Sequence, residues 1–282
     1  MHSISNQHLT IAVRELGAEL QSIKSAGIER LWQGDARIWS GRAPILFPIV
    51  GALKGAKYEF EGQQYALPRH GLARKATFKR VDATSTALRF ELVSNDATRE
   101  VYPWDFALSV RYELQDKHLH VEYRVINHSD STMRFTIGSH PAFNLSEPID
   151  HYHIRFSHAE ALNHYPLTTE GLLHDTGIPY PLDNQRIMLT ETLFDNDALV
   201  FKDIESTHIS LCDQHRELIR VHNGGAPHLG LWSKPSAPYV CIEPWFGYSD
   251  SVSGNGQWMD KPAMTTLRPA EEFFHRWAME FL

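Results

Sequence analysis

Cysteine is scarce in this 282-residue sequence, which contains only Cys212 and Cys241. Both lie in apolar stretches and neither belongs to a CxxC pair, so the chain is not a disulfide-dense scaffold. We expect two buried thiols in a reducing compartment. A single disulfide between them is the alternative.

Long apolar runs are also missing. The longest, residues 43–53, is interrupted by Pro44, Pro48 and Gly51. It is far shorter than the roughly 20 residues that a membrane helix needs. The first six residues carry no basic region and no apolar block follows them, so we expect no secretory signal. Together with the reducing environment, these absences predict a cytoplasmic protein that does not enter a membrane.

An excess of positive charge is absent as well. The chain has 27 Lys and Arg against 34 Asp and Glu, and 27 − 34 gives a net charge of −7. Binding to a nucleic-acid backbone needs a basic face, so we expect no nucleic-acid partner. Its 17 Gly and 15 Pro are not in excess, which excludes collagen-like and low-complexity chains. Histidine, in contrast, is plentiful, with 17 residues.

The sequence does show alternation of apolar and polar residues with a period of two, which is typical of half-buried strands. The clearest runs cover residues 88–92, 106–114 and 119–125, and a further run resumes over residues 133–137. Short polar turns join the last three, so we predict an antiparallel meander with one apolar face. Residues 9–13 predict another strand.

The final segment fits two patterns. Residues 273–281 carry aromatic side chains at both helical and alternating spacing. We predict a strand, because the rest of the chain is β and Pro269 precedes the segment. No long amphipathic helix, repeat or linker-like tract interrupts the chain. The sequence therefore predicts an all-β fold, with residues 1–282 forming one large antiparallel β-sandwich domain.

Two pairs of histidines have the i, i+2 spacing that puts two metal ligands on one face of a strand. They are His118 with His120, and His151 with His153. The polar side of a strand is more often a solvated surface, and we interpret both pairs in that way.

Two other histidines, His70 and His140, lie in restrained loops. Pro68 and Gly71 flank the first, and Pro141 follows the second. The proline holds His140 in an extended conformation directly after a predicted strand. Loops of this kind present functional side chains, so both are candidate site residues. A histidine bonded to turn backbone is the alternative.

Glu243 is the most informative acid. It follows an apolar strand predicted over residues 239–242 and precedes Pro244 and Trp245. Loss of hydration among such neighbours raises a carboxyl pKa, which suits a general base near neutral pH. A carboxylate bonded to a turn N–H or to an arginine is the alternative.

Two arginines are candidate anion ligands. Arg42 precedes an apolar run bounded by prolines, and Arg74 lies four residues after His70. Either guanidinium could bind a substrate oxygen or an anion, and either could pair with a structural acid. The residues alone favour the structural pairing.

Seven short motifs follow one another along nearly the whole chain. They are Gly17-Ala18-Glu19-Leu20-Gln21-Ser22, Leu31-Trp32, Pro44-Ile45-Leu46-Phe47-Pro48, Pro68-Arg69-His70-Gly71-Leu72-Ala73-Arg74, Tyr102-Pro103-Trp104-Asp105-Phe106, Ser139-His140-Pro141-Ala142-Phe143-Asn144 and Ile242-Glu243-Pro244-Trp245. In this order they resemble the aldose 1-epimerase (galactose mutarotase) superfamily. The compact His-Gly-x-Ala-Arg motif resembles its branch of LacX-like proteins and hexose-6-phosphate mutarotases.

The resemblance implies a large twisted antiparallel β-sandwich with a sugar in an open cleft on one sheet. It implies interconversion of the α and β anomers of an aldose, with a small sugar as partner and no cofactor or metal. By match to the family motifs, His140 is the general acid and Glu243 the general base. A desolvated carboxyl and an imidazole suit a reaction that takes one proton from the C1 hydroxyl and adds one to the ring oxygen.

The resemblance also assigns substrate contacts. It implies that His70 and Arg42 contact the sugar, and that Asp197, in a looser local match, binds sugar hydroxyls. Trp232 and Phe143 are implied as cleft walls, because aromatic faces pack on sugar C–H surfaces.

Three alternatives stay open at this point. A hexose 6-phosphate epimerase is suggested by Arg42 and Arg74, which together would hold a phosphate dianion. A non-catalytic sugar-binding protein would usually lack the acid or the base, and both are present here. A metal-dependent cupin-like enzyme would use His118 and His120, but no further ligand has suitable spacing. The identity of the sugar, its phosphorylation, and the choice between monomer and homodimer also stay open.

Overall fold

A computed structural model describes residues 1–282 and consists largely of β-structure. In chain order, strands β1 to β25 span His2–Ser5, Leu9–Val13, Leu20–Ser25, Ile28–Glu29, Ile45–Leu46, Lys57–Phe60, Gln63–Ala66, Lys79–Ala83, Ala87–Val93, Phe106–Gln115, His118–Asn127, Met133–Phe135, Ile137–Ser139, Ala142–Asn144, His153–Phe156, Asn163–His164, Ile178–Pro179, Arg186–Met188, Leu199–Phe201, His208–Cys212, Glu217–His222, His228–Trp232, Tyr239–Phe246, Thr265–Leu267 and Glu272–Phe281. The single α-helix, α1, spans Asp96–Arg99, and 3₁₀ turns span Lys54–Ala56, Ala73–Lys75, Ile149–His151 and Trp258–Asp260. None of these helices has the length and apolar character required to cross a membrane. The predicted all-β fold is confirmed.

Two large antiparallel sheets dominate the architecture. The nine-stranded sheet has the order β18-β15-β20-β21-β25-β11-β10-β9-β8. The eight-stranded sheet has the order β17-β16-β19-β22-β23-β13-β5, and β14 also pairs with β23. Strands β1 to β4 form a smaller sheet. Apolar side chains from both large sheets meet in one core of 60 buried residues, which is the β-sandwich arrangement.

The strands with the clearest alternation form the middle of the nine-stranded sheet. Strands β10 and β11 pair in antiparallel register over their full length. On β11, Leu119 and Val121 are buried in the core, whereas His118 and His120 lie half-buried on the outer face. The strand predicted at the C-terminal end is confirmed as β25, which lies between β11 and β21.

The meander prediction is wrong for its third strand. Residues 133–137 divide between β12, which pairs with β24, and β13, which pairs with β23 and β5. The free edge of β11 is occupied by β25 instead. Local alternation determines which face of a strand is apolar but not which distant strand pairs with it. The chain therefore crosses to the other sheet after β11.

Strand β23 lies inside the eight-stranded sheet and is buried on both faces. Val240 and Ile242 belong to the main core, and the alternate residues Cys241, Glu243 and Trp245 point to the opposite face. The strand runs through Phe246, so Glu243 lies within the strand and not after it as predicted. A buried carboxyl is thereby fixed on a rigid element.

Candidate active site

A cavity of about 490 Å³ opens on the outer face of the eight-stranded sheet. Its volume falls within the roughly 300–1,000 Å³ typical of small-molecule sites. Six of the sequence-predicted residues line it, namely His70, Arg74, His140, Asp197, Trp232 and Glu243. The fold thus gathers side chains that are up to 173 positions apart, from His70 to Glu243, into one cleft.

Strand register explains how His140 and Glu243 meet. Gly138 on β13 pairs with Trp245, and Ala142 on β14 pairs with Cys241. The same antiparallel register continues across the short gap between β13 and β14 and places His140 opposite Glu243. The imidazole Nδ1 lies 3.3 Å from the carboxyl Oε1.

Burial shifts the pKa values of this pair in opposite directions. Glu243 is 1% exposed, and desolvation raises the pKa of its carboxyl well above the usual range, against the effects of Arg69 and the Trp245 indole. His140 is 8% exposed, and desolvation together with Arg69 and Arg74 lowers its pKa to about 3. Burial thus favours the neutral form of both side chains.

The two groups are 3.3 Å apart, which is close enough for a proton to pass between them. Transfer of a single proton from Glu243 to His140 gives a carboxylate and an imidazolium without changing the total charge. A carboxylate is a general base and an imidazolium is a general acid. The geometry thus supports simultaneous proton removal and proton delivery at neighbouring atoms of a ligand.

Unsatisfied polar atoms are concentrated around the cavity. Nine buried side-chain nitrogen or oxygen atoms of the protein make no hydrogen bond, and five of them belong to residues that line this cleft. These five are Arg69 Nε, Arg74 Nε, His140 Nδ1, Glu243 Oε2 and Trp245 Nε1. Folded proteins leave few such atoms unpaired, so the concentration indicates a surface organised to bind a polar molecule.

His70 is held by a strained turn. Its φ of +68° lies in the left-handed region, and Gly71 follows with φ +72°, where a Cβ would lie 2.3 Å from the Phe47 carbonyl oxygen. The Gly51 N–H donates to His70 Nδ1 at 3.1 Å, which leaves the ring proton on Nε2. Burial lowers the pKa of His70 well below its usual value. A neutral hydrogen-bond donor thus faces the cleft, while the predicted bond to turn backbone is also present.

Asp197 lies on the cavity wall beside Arg69. Its backbone has a φ of +74°, and its Oδ1 accepts the Ala198 N–H at 2.8 Å. The Arg69 guanidinium approaches Oδ2 at 3.2 Å. Both side chains of the ion pair are partly exposed to the cleft, so their remaining polar atoms can contact a ligand.

Aromatic rings surround His140. Trp39 stacks on the imidazole at 5.0 Å between ring centroids, and Trp232 meets it edge-on at 5.6 Å. Trp232 therefore lies in the cleft, as the family resemblance implies. Phe143 does not: it is fully buried and belongs to the main core. It pairs with Val240, whose side chain faces the same core, because directly opposed residues share one face of a sheet.

Trp245 forms the floor of the cleft. A Cβ built on Gly138 would lie 2.4 Å from its indole, and a Cβ on Gly230 would lie 2.3 Å from the far end of the same ring. These glycines belong to β13 and β22, the strands on either side of β23. The indole therefore lies flat across three strands, because glycine leaves room for it on both sides.

Arg42 lies outside the cleft lining, contrary to the expectation from the family resemblance. Its guanidinium donates to the Gln21 carbonyl oxygen and to the Gln33 side chain. Its main-chain N–H donates to the carboxyl of Glu19. These bonds are the structural pairing that the residues alone favoured, and they leave Arg42 outside the cleft that Arg74 lines. Arg74 remains in the cleft with Arg69 as its cationic neighbour.

Several lining residues were not predicted. Arg69, Trp39, Trp245 and Lys234 all face the cavity. Arg69 and Trp245 stand within the quoted motifs, next to His70 and two residues after Glu243, so proximity along the chain was a usable signal. Trp39 and Lys234 lie in loops, and no local pattern distinguishes them from other exposed residues.

The same face offers one set of metal-ligating types. Ligand atoms of His140, Cys241 and Glu243 lie within 4.8 Å of one another. Burial raises the pKa of the Cys241 thiol well above its usual value, which disfavours the thiolate that binds metals. The chemistry of the cleft is therefore best described by its carboxyl and imidazole groups.

Comparison with known proteins gives a consistent set of similarities. A family model described as aldose 1-epimerase matches residues 1–280. Protein LacX (chromosomal) of Lactococcus lactis subsp. lactis is 33% identical over 285 residues, covering 95% of each chain.

Solved structures show the same similarity. A galactose mutarotase related enzyme from Lactobacillus acidophilus aligns with a TM-score of 0.94 at 33% identity, covering 100% of this chain and 97% of the other. A galactose mutarotase-like protein from Lactobacillus casei aligns with a TM-score of 0.95 at 28% identity, covering all of both chains. The architecture of large antiparallel sheets is shared along the whole chain.

Proposed function

This chain belongs to the aldose 1-epimerase family, and from that premise we propose that it interconverts the α and β anomers of an aldohexose. The observation that carries the proposal is the contact between His140 Nδ1 and Glu243 Oε1, 3.3 Å apart at the base of a cleft of sugar size. The residue roles below are part of the same proposal.

The reaction opens and closes a hemiacetal ring. Glu243, as carboxylate, accepts the proton of the C1 hydroxyl while His140, as imidazolium, donates a proton to the ring oxygen. The bond from C1 to the ring oxygen breaks and C1 becomes an aldehyde. Rotation about the adjoining carbon bond exposes the other face, and closure returns both protons with the roles reversed. The atoms balance without a cofactor or a resident metal.

The other lining residues fit sugar binding. Trp39 and Trp232 offer aromatic faces for C–H surfaces, and His70 Nε2 offers a hydrogen-bond donor. Asp197 and Arg69 offer an acceptor and a donor for hydroxyl groups. A mostly apolar pocket with a few convergent polar groups is the arrangement expected for a small polar ligand.

Anomer exchange measured by NMR tests the proposal directly. Pure α-glucose and α-galactose are mixed with the purified protein, and equilibration of the anomeric signals is compared with buffer alone. The double variant Glu243→Gln/His140→Asn, purified in the same way, controls for contaminating host mutarotase. We expect rapid exchange with the natural chain only. Equal rates for both proteins would contradict the proposal and favour a non-catalytic sugar-binding protein on the same scaffold.

A hexose 6-phosphate is the second candidate substrate. Three cationic side chains, Arg69, Arg74 and Lys234, line the cleft, and two of them have an unpaired Nε. Guanidinium groups bind phosphate through paired, charge-assisted hydrogen bonds. If this reading holds, kcat/KM for glucose 6-phosphate exceeds that for glucose, and Arg74→Ala removes the difference. Equal kcat/KM values for the two sugars would rule it out.

The proposal extends to the protein as a whole. Residues 1–282 would form one galactose mutarotase-like domain, because a single core of 60 buried residues draws on both large sheets. A cytoplasmic location and a monomeric or homodimeric state remain predictions from the sequence. Fractionation of the source cells and light scattering of the purified chain are the corresponding measurements.

A further inference from the structure

A second group of imidazoles and a carboxylate lies on the outer face of the nine-stranded sheet. His118 on β11 pairs in register with Glu280 on β25, and His222 on β21 lies diagonally opposite the same glutamate. The buried Ala278 sits between the two histidine strands and leaves room above the sheet. We refer to His118, His222 and Glu280 as the outer triad. The core separates it from the cleft, because the alternate residues of β11 point inward.

The ligand atoms of the outer triad already converge. His222 Nε2 lies 3.2 Å from Glu280 Oε2, and His118 Nε2 lies 3.8 Å from that oxygen. All three ligand atoms lie within 4.8 Å of one another. Tetrahedral zinc with bonds of about 2.0–2.1 Å separates its ligands by about 3.4 Å. Small rotations of two half-buried imidazoles are enough to reach that geometry.

We propose that His118, His222 and Glu280 form a binding site for a divalent transition-metal ion, with zinc as the best fit. Two imidazoles and one carboxylate are a ligand set that zinc accepts, with a further position open to water. Magnesium and calcium prefer oxygen ligands alone, so two nitrogen ligands select against them. The face is open to solvent, since the His118 and His222 side chains are 34% and 37% exposed.

Neighbouring charges are compatible with a bound cation. Arg220 donates to Glu280 Oε2 at 2.9 Å, but its other nitrogens also hold Glu217 through two bonds of 2.9 Å. A metal bound to Glu280 Oε2 would share that oxygen with Arg220 or displace its hydrogen bond, and Arg220 would stay held by Glu217 in either case. The His120 ring stacks on His118 at 5.7 Å and limits its rotation. The bound ion would tie β25 to both neighbouring strands.

Titration of the full-length, untagged and metal-stripped protein with zinc chloride tests the site. We expect one zinc ion per chain by calorimetry, with affinity at least about 10-fold to 100-fold weaker in His118→Gln, His222→Gln and Glu280→Gln. His153→Gln is the matched control, because His153 is a half-buried histidine on a strand of the same sheet. Circular dichroism establishes that each variant is folded before titration.

Three results would overturn the proposal. The first is no saturable zinc binding by the natural chain. The second is zinc binding of unchanged affinity in all three triad variants. The third is binding that survives in the triad variants and is lost in Cys241→Ser, which would place the ion in the cleft. Cobalt used as a spectroscopic substitute should lose its tetrahedral absorption in His222→Gln and retain it in His153→Gln.

Discussion

The cleft and the outer triad combine the same residue types in opposite surroundings. In the cleft, the Glu243 side chain is 2% exposed and its Oε2 has no hydrogen-bond partner. In the outer triad, the Glu280 side chain is 16% exposed and accepts hydrogen bonds from Arg220 and His222. Desolvation without pairing raises the pKa of the Glu243 carboxyl, whereas the Glu280 carboxylate is paired at a partly exposed surface that a cation can reach.

The contrast shows why counting histidines says little about chemistry. His140 and His118 each lie beside a glutamate, at 3.3 Å and 3.8 Å. Of the two, only His140 is flanked by tryptophans in the cleft, and burial raises the pKa of its partner carboxyl well above the usual range. Environment, and not residue type, separates the pair that we propose for proton transfer from the proposed metal ligands.

The largest expected effect is the difference in kcat between variants of Glu243 and of Glu280. Glu243→Gln removes the proposed general base and should lower kcat for anomer exchange by about 10² to 10⁴, because a positioned general base contributes that much. Glu280→Gln should leave kcat within a factor of about two, since the core lies between it and the cleft. NMR exchange rates at saturating sugar measure both. Similar losses of kcat in the two variants would show that the two carboxylates do not differ in their effect on anomer exchange.

The same substitution, Glu243→Gln, should increase the stability of the fold although it lowers activity. The unfolded chain ionises Glu243 above about pH 4.3, while the folded chain keeps it protonated because the folded pKa is raised. The natural protein therefore loses stability as pH rises through this range, and Glu243→Gln does not. In urea unfolding, we expect the free energy of unfolding of the variant to exceed that of the natural chain by an amount that grows as pH rises above about 4.3, at about 1.4 kcal/mol for each pH unit up to the folded pKa. A pH-independent difference would argue against a buried, protonated carboxyl.

A smaller effect is expected from the cation beside the pair. Arg69 lowers the pKa of Glu243 and of His140. In Arg69→Met both pKa values rise, so the acidic limb of the pH–kcat profile should move to higher pH. Arg80→Met, on the exposed strand β8, is the matched control and should leave the limb in place. A limb that stays in place in Arg69→Met would show that Glu243 does not set it.

The smallest effect concerns the outer ion pairs. In metal-free protein, Glu280→Gln should cost about 0–1 kcal/mol of unfolding free energy, because half-exposed ion pairs are partly screened by water. The loss should shrink further in 1 M sodium chloride. Urea unfolding at low and high salt measures it. A salt-independent loss of several kcal/mol would mean that Glu280 is as shielded from solvent as Glu243.

Much of the fold could be predicted from the sequence because it depends on local alternation. Strands β9, β10 and β11 follow from a period of two, and β25 follows from the same argument. The departure of β12 and β13 to other partners could not be predicted, since pairing depends on distant segments. The outer triad escaped prediction for the same reason, because its members lie on three strands that only the fold brings together.

Site residues could be predicted where a sequence motif marks them. They could not be predicted where the face of a strand determines whether a side chain points to the cleft or to the core. His140 and Glu243, which the proline-restrained loop and the apolar neighbours marked as candidates, lie opposite each other in strand register and both line the cleft. Phe143, only three residues after His140, faces the core because β14 pairs it with Val240. The position of Arg42 outside the cleft lining could not be predicted, because its hydrogen-bond partners, on β3 and in the loop after β4, are distant in the sequence.

The Trp245 indole that spans Gly138 and Gly230 has a consequence for how this cleft can evolve. A methyl group at either glycine would collide with the ring, and a smaller residue at position 245 alone would leave a void under the sugar. Each single step is therefore unfavourable, while a paired replacement of glycine by alanine and tryptophan by a smaller residue restores the fit. The residues at these three positions can therefore change only together. Changes in substrate choice should arise instead in the loops around the cleft.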